Sequence, residues 1–208
     1  MAQKIILVRH GVTTANSEGR FIGAMDLPLS EEGVAQAKAL AGPFSAARIS
    51  RVRTSPLLRA AQTARIAFDS SGAVMETVDE LREANFGAWE SLTFAEIKER
   101  YGREAGKWLA GDLDFAFPGG DHMGEFALRA GRVAESLRDS PEEVALAVTH
   151  GGLISLTLCH LLGLPLSRHI NFRLAPASVT VIDRIEGVCA LRCVLDPQNR
   201  YLAPRRSA

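Results

Sequence analysis

Two histidines, two arginines and one glutamate are the residues of this sequence whose types and spacing could do chemistry. His10 follows the apolar run Ile5 to Val8 and stands between Arg9 and Gly11, while His150 follows Val144 to Thr149 and precedes Gly151 and Gly152. An apolar run that breaks abruptly into polar residues reads as a buried strand opening onto a loop, and in an open α/β sheet that end of a strand is where ligands bind. The residue types suit a phosphate. Arginine offers a planar fork of donors, imidazole can attack phosphorus, and Gly11 lets the backbone come close. A transferring phosphoryl group spreads charge over its oxygens, so it needs positioned cations, an in-line nucleophile and an acid for the leaving oxygen. The reading is that neutral His10 attacks to form a phosphohistidine, Arg9 and Arg59 hold the phosphoryl oxygens, and His150 donates a further hydrogen bond. Glu83 protonates the departing oxygen and then, ionised, takes a proton from the water that attacks the phosphohistidine. To do so it must start protonated, and burial or the substrate's own charge has to outweigh the two arginines.

These side chains need elements to position them. Gly11 to Asp26 lacks apolar periodicity and predicts a loop with one helical turn. Ser30 with Glu31 and Glu32 starts a helix that carries Val34, Ala37, Leu40 and Ala41 on its inner face. A short strand over Ile49 to Arg53 leads to Pro56, where the next helix can begin, with Leu57, Leu58, Ala61, Ala64 and Phe68 on its apolar face. Arg59 falls in its first turn, off that face, and would point toward His10 if the two strands are parallel neighbours. Val74 to Val78 is a third strand, and Leu81 to Glu90 an irregular packed loop holding Glu83. Thr93 with Glu96 makes a capping box for a helix that stops at Gly102. Phe117 to Gly120 is a turn, after which Asp121 caps a long helix to about Arg138. The strand ending at Thr149 leads into a helix to Leu162. Ser178 to Ile185 and Val188 to Val194 form a hairpin that adds an antiparallel edge, on which Cys189 and Cys193 share a face. Arg200 to Ala208 is a loose tail. The pattern predicts an α/β fold, with residues 1–208 as one domain.

Composition narrows the function classes. The chain has 208 residues, 47% hydrophobic and 23% charged, enough for one sizeable core. Lys and Arg together number 24, as do Asp and Glu, which gives no support for nucleic acid or an acidic membrane surface as partner. The three cysteines are too few and too unevenly spaced for a disulfide framework or a zinc knuckle, and a reducing cytoplasm fits best. No targeting or membrane-spanning segment is expected, because the apolar stretch around Leu153 to Leu164 is interrupted by Ser155, Thr157 and His160. A metal held by His10, His150, Glu83 and an aspartate would be repelled by Arg9 and Arg59, so neither metal nor cofactor is expected. His122, His160 and His169 read as surface or core histidines, and Trp89 and Phe86 as packing.

Leu7 to Gly11 with Thr14 and Asn16, the Ser55-Pro56 to Arg59 to Thr63-Ala64 run, Leu81 to Glu90, and Thr149 to Gly152 together resemble the histidine phosphatase superfamily, also called phosphoglycerate mutase-like. The matches keep their order over roughly three quarters of the chain. The resemblance implies a three-layer α/β/α sandwich with a mostly parallel central sheet and an antiparallel edge. It implies metal-independent phosphomonoester hydrolysis through a phosphohistidine, and a pocket of Arg9, His10, Asn16, Arg59, Glu83 and His150. Gly23 matches a loop position that approaches substrate in some members. Where the family's mutases carry a tyrosine and then a lysine, this sequence has Phe86 and Phe94, and no Arg-Arg pair precedes Arg205-Arg206. The wording resembles the broad-specificity and α-ribazole-phosphate phosphatases, so the partner is a small phosphate ester, with aromatic residues favouring an apolar or aromatic alcohol. The family's usual Gly-Gly-Glu-Ser is here Gly119-Gly120-Asp121-His122, which leaves open whether the 119–125 segment touches substrate. Three alternatives also stay open: a phosphoglycerate mutase, a regulator that binds phosphorylated ligands without turning them over, and assembly as a homodimer.

Overall fold

The computed structural model describes residues 2–44 and 49–196. Six strands form one sheet in the order β3-β2-β4-β1-β5-β6: β1 Lys4–Arg9, β2 Arg51–Thr54, β3 Val74–Thr77, β4 Val144–Thr149, β5 Val179–Ile185 and β6 Val188–Leu195. The first four named in that order run parallel, and β5 and β6 are added antiparallel. Alternation along β1 divides the core. Ile6 and Val8 face α2 (Glu31–Phe44) and α3 (Leu58–Phe68), whereas Ile5 and Leu7 face α6 (Met123–Arg138) and α7 (Gly151–Leu162). Helices on both faces of a mostly parallel sheet make the three-layer α/β/α architecture, in which each central strand is buried on both sides. Among the described residues no helix is long and apolar enough to cross a membrane.

The remaining helices are α1 (Thr14–Ser17), α4 (Phe94–Arg100) and α5 (Gly102–Leu109). Thr93 and Glu96 form the expected capping box at α4, and Thr13 with Asn16 forms another at α1. Gly102 does not end the helical stretch: Tyr101 breaks it, at φ −133° and ψ 41°, and α5 starts at Gly102. His122, not Asp121, caps α6, its Nδ1 accepting from the Gly124 amide at 3.1 Å. The Asp121 carboxylate is turned away to accept from the Asn85 amide at 3.0 Å. α3 begins at Leu58, two residues beyond Pro56, and its inner face is Ala60, Ala64, Ala67 and Phe68 together with Arg59, while Leu58 is exposed.

At the far edge a bulge between Val181 and Ile182 of β5 changes the β6 register, so Cys193 pairs with Val181 and Cys189 with Arg184. One residue of slip flips every side chain beyond it, so the two cysteines lie on opposite faces rather than sharing one. Arg200 to Ala208, including Arg205-Arg206, lie outside the described residues.

Candidate active site

β1 and β4 are adjacent and parallel, with Arg9 in register with Thr149, so His10 and His150 leave the sheet side by side. The His10 amide donates to the Thr149 carbonyl at 2.9 Å, and the two imidazole centroids are 5.2 Å apart. β2 is not a neighbour of β1, since β4 lies between them, but all three run parallel and Arg59 still arrives at the same edge. The five residues singled out for chemistry therefore converge from four separate parts of the chain.

Hydrogen bonds fix the form of His10. Its Nδ1 lies 2.7 Å from the Gly11 carbonyl, which can only accept, so Nδ1 carries the proton. The lone pair is left on Nε2, where Arg59 Nε donates at 3.3 Å. Burial first, and then the Arg9 and Arg59 charges, hold this imidazole well below its ordinary pKa, with the Gly11 bond opposing them. His10 is a neutral imidazole whose free lone pair is on Nε2. Gly11 itself does not approach a ligand: a Cβ there would meet the Gly33 carbonyl oxygen at 2.6 Å, and its amide donates to Thr63 Oγ1 at 2.9 Å. The glycine is needed because the start of α2 packs against this loop.

Arg59 is buried and also donates to the carbonyls of Met25 and Gly23, each at 2.7 Å. Burial pushes it down to about 10, which leaves it cationic at neutral pH. Arg9 donates to the Leu174 carbonyl, while its Nε is buried without a partner among the described residues. Burial lowers its pKa too, with Glu83 acting against the shift. Glu83 sits at the N-terminus of α7, Oε2 accepting from the Gly152 amide at 2.9 Å and Oε1 from the Ala84 amide at 3.2 Å. The glycine pair after His150 follows from this crowding. A Cβ on Gly152 would lie 2.6 Å from Glu83 Oε1, and one on Gly151 would lie 3.3 Å from the Arg9 guanidinium carbon.

Arg9, His10, Asn16, Gly23, Arg59 and Glu83 all line one cavity of about 650 Å³. Asn16 Oδ1 is occupied by Thr13 in the α1 cap, which leaves its amide nitrogen for a ligand. His150 is placed differently: it is fully enclosed and forms no part of the cavity wall. Its Nε2 is 2.8 Å from Ser55 Oγ, and that oxygen already accepts from the Leu57 amide at 3.2 Å. A hydroxyl can both accept twice and donate once, so this contact is compatible with either tautomer, and the other ring nitrogen, Nδ1, is buried with no partner among the described residues. Burial and then His10, Arg59 and Arg9 keep this imidazole neutral as well.

The rest of the wall is aromatic and apolar. Phe21 is the hub, its ring centroid 5.4 Å from Phe86, 6.5 Å from Phe94 and 5.7 Å from Trp108. Phe86, Phe94, Trp108 and Phe172 face the cavity, so Phe86 is wall as well as packing, whereas Trp89 is fully buried. His169 also borders the cavity, held through its Nδ1 to the Leu166 carbonyl at 2.9 Å. Neither His122 nor another residue of 119–125 does; this segment instead props the loop of Glu83, the Asp121 amide donating to the Asn85 carbonyl at 2.9 Å.

Sequence reasoning missed how that loop is held. Arg129 of α6 donates to the carbonyls of Glu80 at 2.9 Å, Arg82 at 2.5 Å and Glu83 at 3.4 Å, and Thr149 Oγ1 donates to the Leu81 carbonyl at 2.6 Å. Glu90 plays a similar part beneath Gly23, accepting from the Ala24 amide at 2.6 Å and the Phe86 amide at 3.3 Å. Thr149 and Glu90 could have been suspected from their place in the motifs, but nothing in the local sequence marks Arg129. Among the described residues no group of three or more His, Cys, Asp or Glu could hold a metal ion.

Comparison with known proteins agrees with this geometry. The model of the histidine phosphatase superfamily (branch 1) matches residues 5–197. The chain is 31% identical over 191 residues to the adenosylcobalamin/alpha-ribazole phosphatase of Salmonella typhimurium, covering 91% of this chain and 94% of that protein. It is also 31% identical over 186 residues to a protein of Escherichia coli O1:K1 that bears a phosphoglycerate mutase name, GpmB, covering 89% and 86%. The mycobacterial glucosyl-3-phosphoglycerate phosphatase solved in complex with VO3 superposes with a TM-score of 0.81 at 31% identity, over 91% of this chain and 97% of that one. With its two histidines side by side at the end of a parallel sheet and its match running almost end to end, the chain belongs to the histidine phosphatase superfamily, branch 1, and is an enzyme of the phosphatase type.

Proposed function

We propose that this protein hydrolyses phosphate monoesters through a phosphohistidine on His10. The observation that carries the reading is the state of that side chain: its proton is held on Nδ1 by the Gly11 carbonyl, and its Nε2 lone pair faces the cavity's guanidinium groups. Substrate oxygens displace Arg59 Nε from Nε2, and Nε2 attacks phosphorus as the bond from phosphorus to the ester oxygen breaks. Glu83 gives its proton to that oxygen, and the alcohol leaves. The positive charge that develops on the His10 ring is stabilised at Nδ1 by the Gly11 carbonyl. Water then attacks the phosphohistidine, Glu83 takes a proton from it, and the P–N bond breaks to restore neutral His10 and release inorganic phosphate. Arg9, Arg59 and the Asn16 amide bind the equatorial oxygens, and His150, behind the wall and beside His10, is assigned a further hydrogen bond to one of them in the tautomer that carries its proton on the unpartnered Nδ1.

The substrate is a small organic phosphate whose alcohol is apolar or aromatic in its body, because Phe21, Phe86, Phe94, Trp108 and Phe172 line the space beyond the reaction centre. The match to a protein with a mutase name keeps the mutase reading in play. Against it stand Phe86 and Phe94, apolar at wall positions where the family's mutases carry polar carboxylate-binding groups. The test is turnover of phenyl phosphate in EDTA, with rapid acid-free quench and detection of an acid-labile phosphoenzyme. His10→Ala should lose both signals. Survival of either in that variant removes His10 as nucleophile, and 3-phosphoglycerate interconversion primed by a bisphosphoglycerate, exceeding hydrolysis, would establish the mutase instead.

A further inference from the structure

The cavity wall carries five charged residues, and four of them are accounted for. Arg9, Arg59 and Glu83 belong to the reaction centre, and Arg20 is engaged by Glu18 at 2.9 Å, by Glu96 at 3.3 Å and by the Ser91 carbonyl at 2.7 Å. The fifth, Arg173, is exposed and has no hydrogen-bond or ion-pair partner among the described residues. A free arginine on an open surface would mean little. This one differs because its backbone is tied on both sides to the reaction centre. The preceding residue, Phe172, offers its carbonyl to Ser155 Oγ at 3.4 Å, and the following residue, Leu174, accepts from the Arg9 guanidinium. Its Cα is therefore held in register with the phosphoryl clamp, at the rim of a wall otherwise made of aromatic and aliphatic groups.

On the phosphatase reading, we infer that Arg173 is a specificity-determining residue that pairs with a second anionic group, a carboxylate or a second phosphate, on the alcohol portion of the substrate. The preferred substrate class is then a phosphate ester with an apolar or aromatic body and a distal anion. A guanidinium fork suits a planar carboxylate or a phosphate, and the bidentate geometry is the one in which an exposed ion pair contributes measurably.

The experiment compares 3- and 4-carboxyphenyl phosphate with their isosteric, neutral 3- and 4-carbamoylphenyl counterparts, using the full chain. The wild type should prefer at least one carboxylate by about three- to fivefold in kcat/KM, mainly through KM, and the preference should shrink between low and high salt. Arg173→Gln should bring the ratio to within about twofold of unity, Arg173→Lys should keep part of it and Arg173→Glu should reverse it. Turnover of phenyl phosphate, which lacks the second anion, should be unchanged in Arg173→Gln. No carboxylate preference in the wild type, or one that Arg173→Gln leaves intact, overturns the inference while the phosphatase reading stands. Should the wild type cleave none of these esters, that reading falls. The inference is then decided by calorimetric binding of 4-carboxyphenylphosphonate against 4-carbamoylphenylphosphonate: tighter carboxylate binding lost in Arg173→Gln upholds it, and equal binding overturns it.

Discussion

Replacing Gly152 by alanine isolates Glu83, the proposed proton donor, from the rest of the site. The added Cβ would stand 2.6 Å from Glu83 Oε1 and 3.2 Å from both the carboxyl carbon and Oε2, where ordinary contact begins at 3.4 Å. The carboxyl must retreat by about 0.8 Å to restore van der Waals separation, and it cannot do so while still receiving the Gly152 and Ala84 amides. A misplacement of that size near the chemistry costs about 10²-fold in rate. The loss should depend on the leaving group. A phenolate as stable as p-nitrophenolate departs without much help, so p-nitrophenyl phosphate should lose only a few-fold in kcat/KM, which reports the first half-reaction, while phenyl phosphate and alkyl phosphates lose about 30- to 100-fold. Stability should move the other way or not at all. Gly152 lies in the first turn of α7 with no left-handed φ, and alanine is the better helix former by up to about 1 kcal/mol. The assay is kcat/KM across a series of aryl phosphates of graded phenol acidity, with thermal melting of the same samples. A loss equal for all leaving groups, or full activity throughout, would refute the placement of Glu83 as acid.

The same geometry makes two other demands. Because Arg9 and Arg59 add to burial in lowering the His10 pKa, the acid limb of kcat/KM should lie well below the ordinary histidine value, and activity should persist at pH 6. Removing a cation raises that pKa, so in Arg9→Met the acid limb of the residual activity should move upward; a limb that stays put or moves down contradicts the electrostatic account. Arg129→Met frees the carbonyls of Glu80, Arg82 and Glu83, and should lower kcat about tenfold and stability by about 1–3 kcal/mol, with KM for phenyl phosphate nearly unchanged. An altered KM with normal kcat would show that this arginine binds substrate rather than holding the acid's loop.

What was legible in the sequence was what local chemistry decides. The strands ending at Arg9 and Thr149 announce themselves by apolar runs, and Thr93 with Glu96 satisfies its own amides without outside help. The misreadings share a cause, which is that a distant group changed the local optimum. Arg59 does point toward His10, as its place in the first turn of α3 leads one to expect, but the apolar spacing that puts Leu58 on the inner face misleads: the guanidinium bonds to His10 and two carbonyls, so Arg59 is buried and Leu58 is exposed. Asp121 is a better cap than histidine in isolation, but its carboxylate serves Asn85, so His122 takes the cap. Arg129 contacts residues more than forty positions away, and no local pattern announces such a contact.

Counting donors on Arg59 joins these strands of argument. A guanidinium has five N–H groups. Three are committed here, to His10 Nε2, the Met25 carbonyl and the Gly23 carbonyl, so two remain for phosphoryl oxygens before anything moves. The two carbonyl bonds set the plane of the fork, and Gly23 holds its carbonyl there through a φ of +52° in a space where a Cβ would meet Glu90 Oε1 at 2.3 Å. Gly23 thus contributes to the site through Arg59 as well as through the cavity wall. On the proposed mechanism the third bond is the one substrate breaks, since Arg59 Nε–H occupies the lone pair assigned to the attack. That bond also keeps a proton off Nε2 until an anion arrives to compete for the same donor. On the proposed mechanism Arg59 therefore does two things with one side chain: it keeps His10 neutral through Nε and becomes part of the phosphoryl clamp when substrate binds.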